Sequence, residues 1–84
     1  MLRDDPQAGR FEMGEPGQVV FANYRRLGDS LYIDHVETPP SLRRRGAAGA
    51  LMAAIVGRAR NEGLIVIPVC AYAAAWMARQ GHRR

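Results

Sequence analysis

Arg43-Arg44-Arg45-Gly46-Ala47-Ala48, set between Pro39-Pro40 and a long alanine-rich run, decides how the rest of the chain is read. Three guanidiniums precede a glycine and two small residues where a helix should open. The first turn of a helix leaves backbone N–H groups unpaired and carries the positive end of the macrodipole, so it attracts phosphate. Small residues let the backbone approach a ligand, and arginines add forked donors. By itself the run reads either as an anion cradle or as a solvated arginine run at a helix start.

Downstream, Ala47, Leu51, Ala54, Ile55 and Arg58 keep helical spacing, and Met52, Val56 and Ala59 widen the apolar stripe. This predicts a helix from about Gly46 to Asn61, with Gly63 where a left-handed C-cap belongs. Leu64-Ile65-Val66-Ile67 is too short for a helix and reads as a strand buried on both faces. After a helical crossover it should lie parallel to the strand before the helix. Pro68 and Cys70 open a last helix that runs to Arg79 and stops at Gly81, with Tyr72, Trp76 and Met77 packing onto the sheet.

Upstream, Leu31 to Glu37 alternates, which places Leu31, Ile33, His35 and Glu37 on one face and Tyr32, Asp34 and Val36 on the other. Gln18 to Leu27 carries Val19, Val20, Phe21 and Tyr24 and reads as a strand, with Gly28-Asp29 as the turn. Arg10 to Met13 is a short strand closed by Gly14-Glu15-Pro16-Gly17. The first nine residues read as a frayed, flexible lead-in. Pro39-Pro40 ends pairing because proline offers no ladder donor. The expected fold is α/β in the α+β sense, a single domain over residues 1–84. Its mixed four-stranded sheet combines a three-stranded antiparallel meander with one parallel strand, carries two helices, and follows the order β-β-β-α-β-α.

With 84 residues, 48% hydrophobic and 24% charged, the chain suits a small globular domain. No apolar run approaches the roughly 18–20 residues that span a bilayer, so no membrane partner is expected. Acids and a proline near the N-terminus leave no signal-peptide core, and the single cysteine cannot form an internal disulfide; both point to the cytoplasm. Residues 1–40 hold four arginines against seven acids, whereas residues 41–84 hold eight arginines against Glu62 alone. The second half therefore suits a polyanionic partner. A nucleic acid fits it poorly, since helix-turn-helix spacing is lacking and few aromatics lie outside core positions. No His/Cys cluster has metal-ligand spacing, and no Ser/His/Asp constellation is present.

Several motifs occur together in order. Arg43, Gly46 and Ala48 fit Arg-x-x-Gly-x-Gly/Ala, which resembles the pyrophosphate loop of GNAT-superfamily N-acetyltransferases. His35-Val36-Glu37-Thr38-Pro39 is similar to the His-Thr-Glu-Val-Pro strand end of the small, YjdJ-like branch. Ala59-Arg60-Asn61-Glu62-Gly63-Leu64 and Val66-Ile67-Pro68-Val69-Cys70 resemble that branch's Ala-Arg-x-x-Gly-Leu and Val-x-Pro-x-Cys segments. The likeness covers about residues 10–80. Val36 and Thr38 exchange the usual hydroxyl and apolar positions, and Arg44 stands where the branch usually has glycine.

The resemblance implies a minimal GNAT fold without the N-terminal helical pair of larger members, binding acetyl-CoA as co-substrate. It implies that the Arg43 guanidinium and the N–H groups of Arg45, Gly46, Ala47 and Ala48 hold the coenzyme A pyrophosphate, with Arg44 and Arg45 reaching the 3′-phosphate or facing water. It further implies that Val36, Glu37 and Thr38 lie on a strand that splays from its neighbour at a bulge, so that exposed backbone pairs with the pantetheine amides and satisfies groups that need a partner.

His35, Glu37 and Cys70 are the candidate catalytic residues. A histidine on a strand face is ordinarily a hydrogen-bonded core residue, but its ordinary pKa suits proton transfer. Glu37 could orient it, act as a base, or stand as a solvated strand-end carboxylate. Cys70 is either a packing residue or, at a helix start that favours thiolate, an acyl acceptor. The expected function is acetyl transfer to an unidentified amine, with protein and peptide amines among the options because the acceptor-side helices are lacking. A dimer could complete the site. The rivals are a non-catalytic acyl-CoA sensor and a basic domain that contacts nucleic acid.

Overall fold

The computed structural model of the protein describes residues 1–81. Five strands, β1 (Arg3–Asp5), β2 (Arg10–Glu15), β3 (Gln18–Leu27), β4 (Ser30–Glu37) and β5 (Ile65–Pro68), make one sheet in the spatial order β1-β2-β3-β4-β5. Helix α1 (Ala47–Asn61) connects β4 to β5, α2 (Ala71–Arg79) follows β5, and a 3-10 turn at Pro40–Leu42 precedes α1. β4 and β5 pair in parallel and every other neighbouring pair is antiparallel. A tight turn can only reverse the chain, so the parallel pair requires the α1 crossover.

One core joins the sheet to both helices. Phe11, Val20, Ala22, Leu31, Ile33 and Val66 on the strands meet Leu51, Met52, Ile55, Val56 and Ala59 of α1 and Ala73 and Met77 of α2. Leu51, Met52, Ile55 and Ile33 are sealed from solvent, and each such side chain stabilises the fold by about 1.5–3 kcal/mol. Among the described residues, α1 and α2 both pack on this face of the sheet and neither covers the other. At the end of α1 the N–H of Leu64 reaches the Ala59 carbonyl at 2.8 Å and that of Gly63 reaches Arg60 at 3.3 Å. This wrap needs the left-handed Gly63, φ 70°, and it terminates the helix.

Three expectations are corrected. The sheet has five strands, because residues read as a frayed lead-in form β1, with Asp4 opposite Phe11. β1 is exposed throughout and has no hydrophobic period to reveal it. It is held by partners distant in sequence: Leu2 packs on the core, and Tyr24 Oη donates to Asp4 Oδ1 at 2.6 Å. β5 is buried on one face only. Val66 is buried while Ile65 is 56% exposed, since β5 is the sheet edge and its outer face is uncovered.

β4 does not alternate along its whole length. The register passes from Tyr24↔Ile33 to Asn23↔His35, so Asp34 is an extra residue, a β-bulge. A bulge reverses the side-chain alternation beyond it. Leu31 and Ile33 enter the core and so does Val36, whereas His35 and Glu37 turn to the uncovered face.

Candidate active site

The bulge and the edge of the sheet together shape a fork. β4 and β5 pair from Ser30↔Ile65 to Ile33↔Pro68 and no further. The Ile33 carbonyl then accepts from the N–H groups of Val69 at 2.9 Å and Cys70 at 3.2 Å, and the chain turns into α2. Beyond that point β4 continues beside β3 alone, through Asn23↔His35 and Phe21↔Glu37. Ladder bonds alternate along a strand, so with His35 and Glu37 turned toward β3, Val36 presents its N–H and C=O to the gap. A buried or half-buried backbone pair of this kind calls for a partner, and an amide-bearing ligand can provide one.

Proline ends β4, and the chain passes through the 3-10 turn into the arginine loop. Gly46 caps α1 with φ 73°, a conformation that L side chains rarely adopt, and a Cβ built there meets nothing within 4 Å. The N–H groups of Gly46, Ala47, Ala48 and Gly49 find no acceptor among the described residues, and no side chain caps the helix. The Arg45 N–H, expected to be available, donates to the Leu42 carbonyl at 3.1 Å. Arg43 Nε donates to the Thr38 carbonyl at 3.4 Å, which ties the loop to the end of β4. The chemistry offered is a set of unpaired amides at the positive end of a 15-residue helix, with arginines beside it.

A family model for the GCN5-related N-acetyl-transferases matches residues 10–83. The chain belongs to the GCN5-related N-acetyl-transferase family. A GCN5-like protein from Staphylococcus aureus, solved in solution by NMR, has the same fold with a TM-score of 0.74. That protein is 22% identical in sequence, and the match covers 95% of this chain and 79% of the other. Among curated proteins, none matches the sequence significantly.

In this GCN5-related domain the three candidate catalytic residues do not form one cluster. His35 Nε2 lies 3.0 Å from Glu37 Oε1 on the uncovered face, with both side chains more than half exposed. Cys70 is the N-cap of α2, where its Sγ accepts from the Ala73 N–H at 3.4 Å and the side chain packs against the core. No hydrogen bond joins Cys70 to His35. A cap of this kind satisfies one of the free donors of the first turn.

Other side chains near the fork carry no sequence signal. Arg25 clamps the bulge: its Nε and terminal nitrogen donate to the two Asp34 oxygens at 2.7 and 2.9 Å, and its guanidinium lies 4.7 Å from the Tyr32 ring centre. These hydrogen bonds hold the Asp34 carboxyl below its ordinary range. Tyr72, expected on the sheet, instead stands with Trp76 beside the first turn of α1. A Cβ at Gly49 would lie 3.4 Å from Trp76 Nε1 and 3.8 Å from Tyr72 Oη. On the outer face Arg10 stacks over Phe21, its guanidinium carbon 3.6 Å from the ring centre, and the Phe21 and His35 ring centres are 6.2 Å apart. Cross-strand register groups these residues, and register is not readable from β-propensity.

Among the described residues, no group of three or more His, Cys, Asp or Glu side chains could hold a metal, and no helix is long and apolar enough to cross a membrane.

Proposed function

We propose that this domain binds acetyl-CoA and transfers its acetyl group to an amine. The fork carries the reading: β4 leaves β5 at Ile33, and the arginine loop is tied to Thr38 at the end of the same strand. A coenzyme whose phosphates sit on the amides of Gly46 to Gly49 and whose pantetheine amides pair with Val36 would satisfy both sets of unpaired backbone groups. Arg43 would add a charge-assisted contact, and Arg44 and Arg45, on the same loop, would reach a further phosphate or face water. Acetyl-CoA supplies an activated acyl group.

The His35–Glu37 pair supplies the base. With Nε2–H donating to Glu37 Oε1, the Nδ1 lone pair is free to take a proton. In the transfer the amine nitrogen bonds to the acetyl carbon and the thioester C–S bond breaks. The amine proton passes to His35 Nδ1, and the departing thiolate takes a proton from solvent. With the Val36 C=O accepting from a pantetheine amide, the Val36 N–H is left to polarise the thioester carbonyl. Cys70, tied into the helix cap, lines the fork; direct transfer needs no nucleophile from it.

The test is calorimetric titration with coenzyme A and acetyl-CoA, followed by mass analysis of an amine panel. Binding with acetylation of an amine that weakens in His35→Gln supports the assignment. Absence of coenzyme A binding overturns it, and binding without acetylation of any amine leaves an acyl-CoA sensor in its place.

A further inference from the structure

We infer that the acceptor carries a second positive charge, held on Phe21 between Glu12 and Glu37 at a place now filled by the protein's own Arg10. This rests on the acetyl-transfer reading, and it names the acceptor class for that site.

Two neighbouring rows across the uncovered sheet face define the subsite. One row aligns Arg3, Glu12, Phe21 and Glu37; the next aligns Asp5, Arg10, Asn23 and His35. Phe21 thus has a glutamate on either side and the His35–Glu37 base pair at its edge. Counting ordinary charges with His35 neutral, three carboxylates face two guanidiniums. An aromatic ring with flanking carboxylates attracts a cation through the ring quadrupole and through direct charge.

The incumbent identifies the ligand chemistry. The Arg10 guanidinium already lies over the ring at 3.6 Å. Yet it is held poorly: Nε is shielded from solvent, and although Glu12 Oε2 is 3.3 Å away, the two are not aligned for a hydrogen bond. Arg3 Nε, at 4.0 Å from the other Glu12 oxygen, competes for the same carboxylate. Leaving costs Arg10 its ring contact and a loose ion pair but no hydrogen bond at Nε, so a ligand cation that makes the same ring contact and a better-aligned bond to Glu12 can displace it. Arg10 can swing into water along its flexible stem, and an ammonium or guanidinium of the acceptor can take its place. The acceptor's reacting amine would then lie one row away at His35. Diamines and amines on basic peptides share this chemistry.

The chain saturated with coenzyme A is titrated with butanediamine against butylamine, and with alanyl-lysine amide against alanyl-norleucine amide. Binding is followed by calorimetry and by the Phe21 ring protons. The dication in at least one pair should bind roughly threefold more tightly, the low end of a cation–aromatic contact, because Arg10 gives up the same ring as the ligand takes it. Which pair responds tells small amines from peptides. Arg10→Ala should tighten dication binding further, whereas Phe21→Leu and Glu12→Gln should erase the preference, all with coenzyme A affinity unchanged. Equal affinity for both members of both pairs overturns the inference, as does weaker dication binding in Arg10→Ala. If coenzyme A does not bind, the parent reading falls, while the same titrations on the unloaded chain still decide the subsite.

Discussion

The N–H of Cys70 donates to the carbonyl of Ile33 at 3.2 Å, and this bond is where the parallel strands part. It fixes the start of α2 to the last paired residue of β4. The thiol of the same residue caps the helix through Ala73, so Cys70 joins the strand edge to the helix it begins.

Cys70 should therefore be replaceable by serine but less well by alanine. Serine keeps a capping oxygen and should leave stability within about 0.5 kcal/mol, while alanine should cost about 0.5–1 kcal/mol, the low end for a lost cap. Urea unfolding of both variants measures this. Coenzyme A binding should persist in Cys70→Ser, and acetyl transfer should persist in both. A thioester on Cys70 after mixing with acetyl-CoA would mean instead that the thiol takes the acetyl group in transit.

Arg43→Ala should weaken coenzyme A binding about tenfold or more and reduce its salt dependence, since a charge-assisted contact contributes ~1.5–3 kcal/mol. Gly46→Ala should cost about 1–2 kcal/mol of stability from its positive φ alone, because its Cβ meets no atom of the protein. Gly46→Val should also lose coenzyme A affinity beyond that of the alanine variant. Titration and unfolding of the same three proteins separate the two effects, and unchanged affinity in all three would contradict the phosphate assignment.

Gly57 is exposed in the middle of α1, with open space around the position of a Cβ and no positive φ. Gly57→Ala should stabilise the domain by about 0.5–1 kcal/mol through helix propensity. A higher denaturation midpoint with an unchanged urea slope is the expected result.

Burial, together with the hydrogen bond and charge of Asp4, pushes the Tyr24 phenol from its ordinary value near 10 up to about 12. Below pH 10 the phenol is neutral in both folded and unfolded chains, and its contribution to stability is complete. Between pH 10 and 12 the unfolded chain loses the proton first, so stability falls with a slope of up to ~1.4 kcal/mol per pH unit. Denaturant midpoints across this range should fall less steeply in Tyr24→Phe. Equal slopes would show that Tyr24 ionises alike in both states.

What the sequence determined is local. The spacing of Leu51, Met52, Ile55, Val56 and Ala59 set α1, and Gly63 set its end, because helical period and left-handed glycine act within one turn. Gly46 before two alanines marked the loop, and Pro68 before Cys70 marked the start of α2. Tertiary structure alone decided the face of His35. One extra residue at Asp34 reverses the alternation, and no β-propensity distinguishes a bulged residue from its neighbours. It likewise decided that β1 exists, since three charged residues become a strand only when β2 offers its edge and Tyr24 holds Asp4. The grouping of Arg10, Glu12, Phe21 and Glu37 has the same origin: strand register is set by packing across the sheet, which residues adjacent in sequence do not encode.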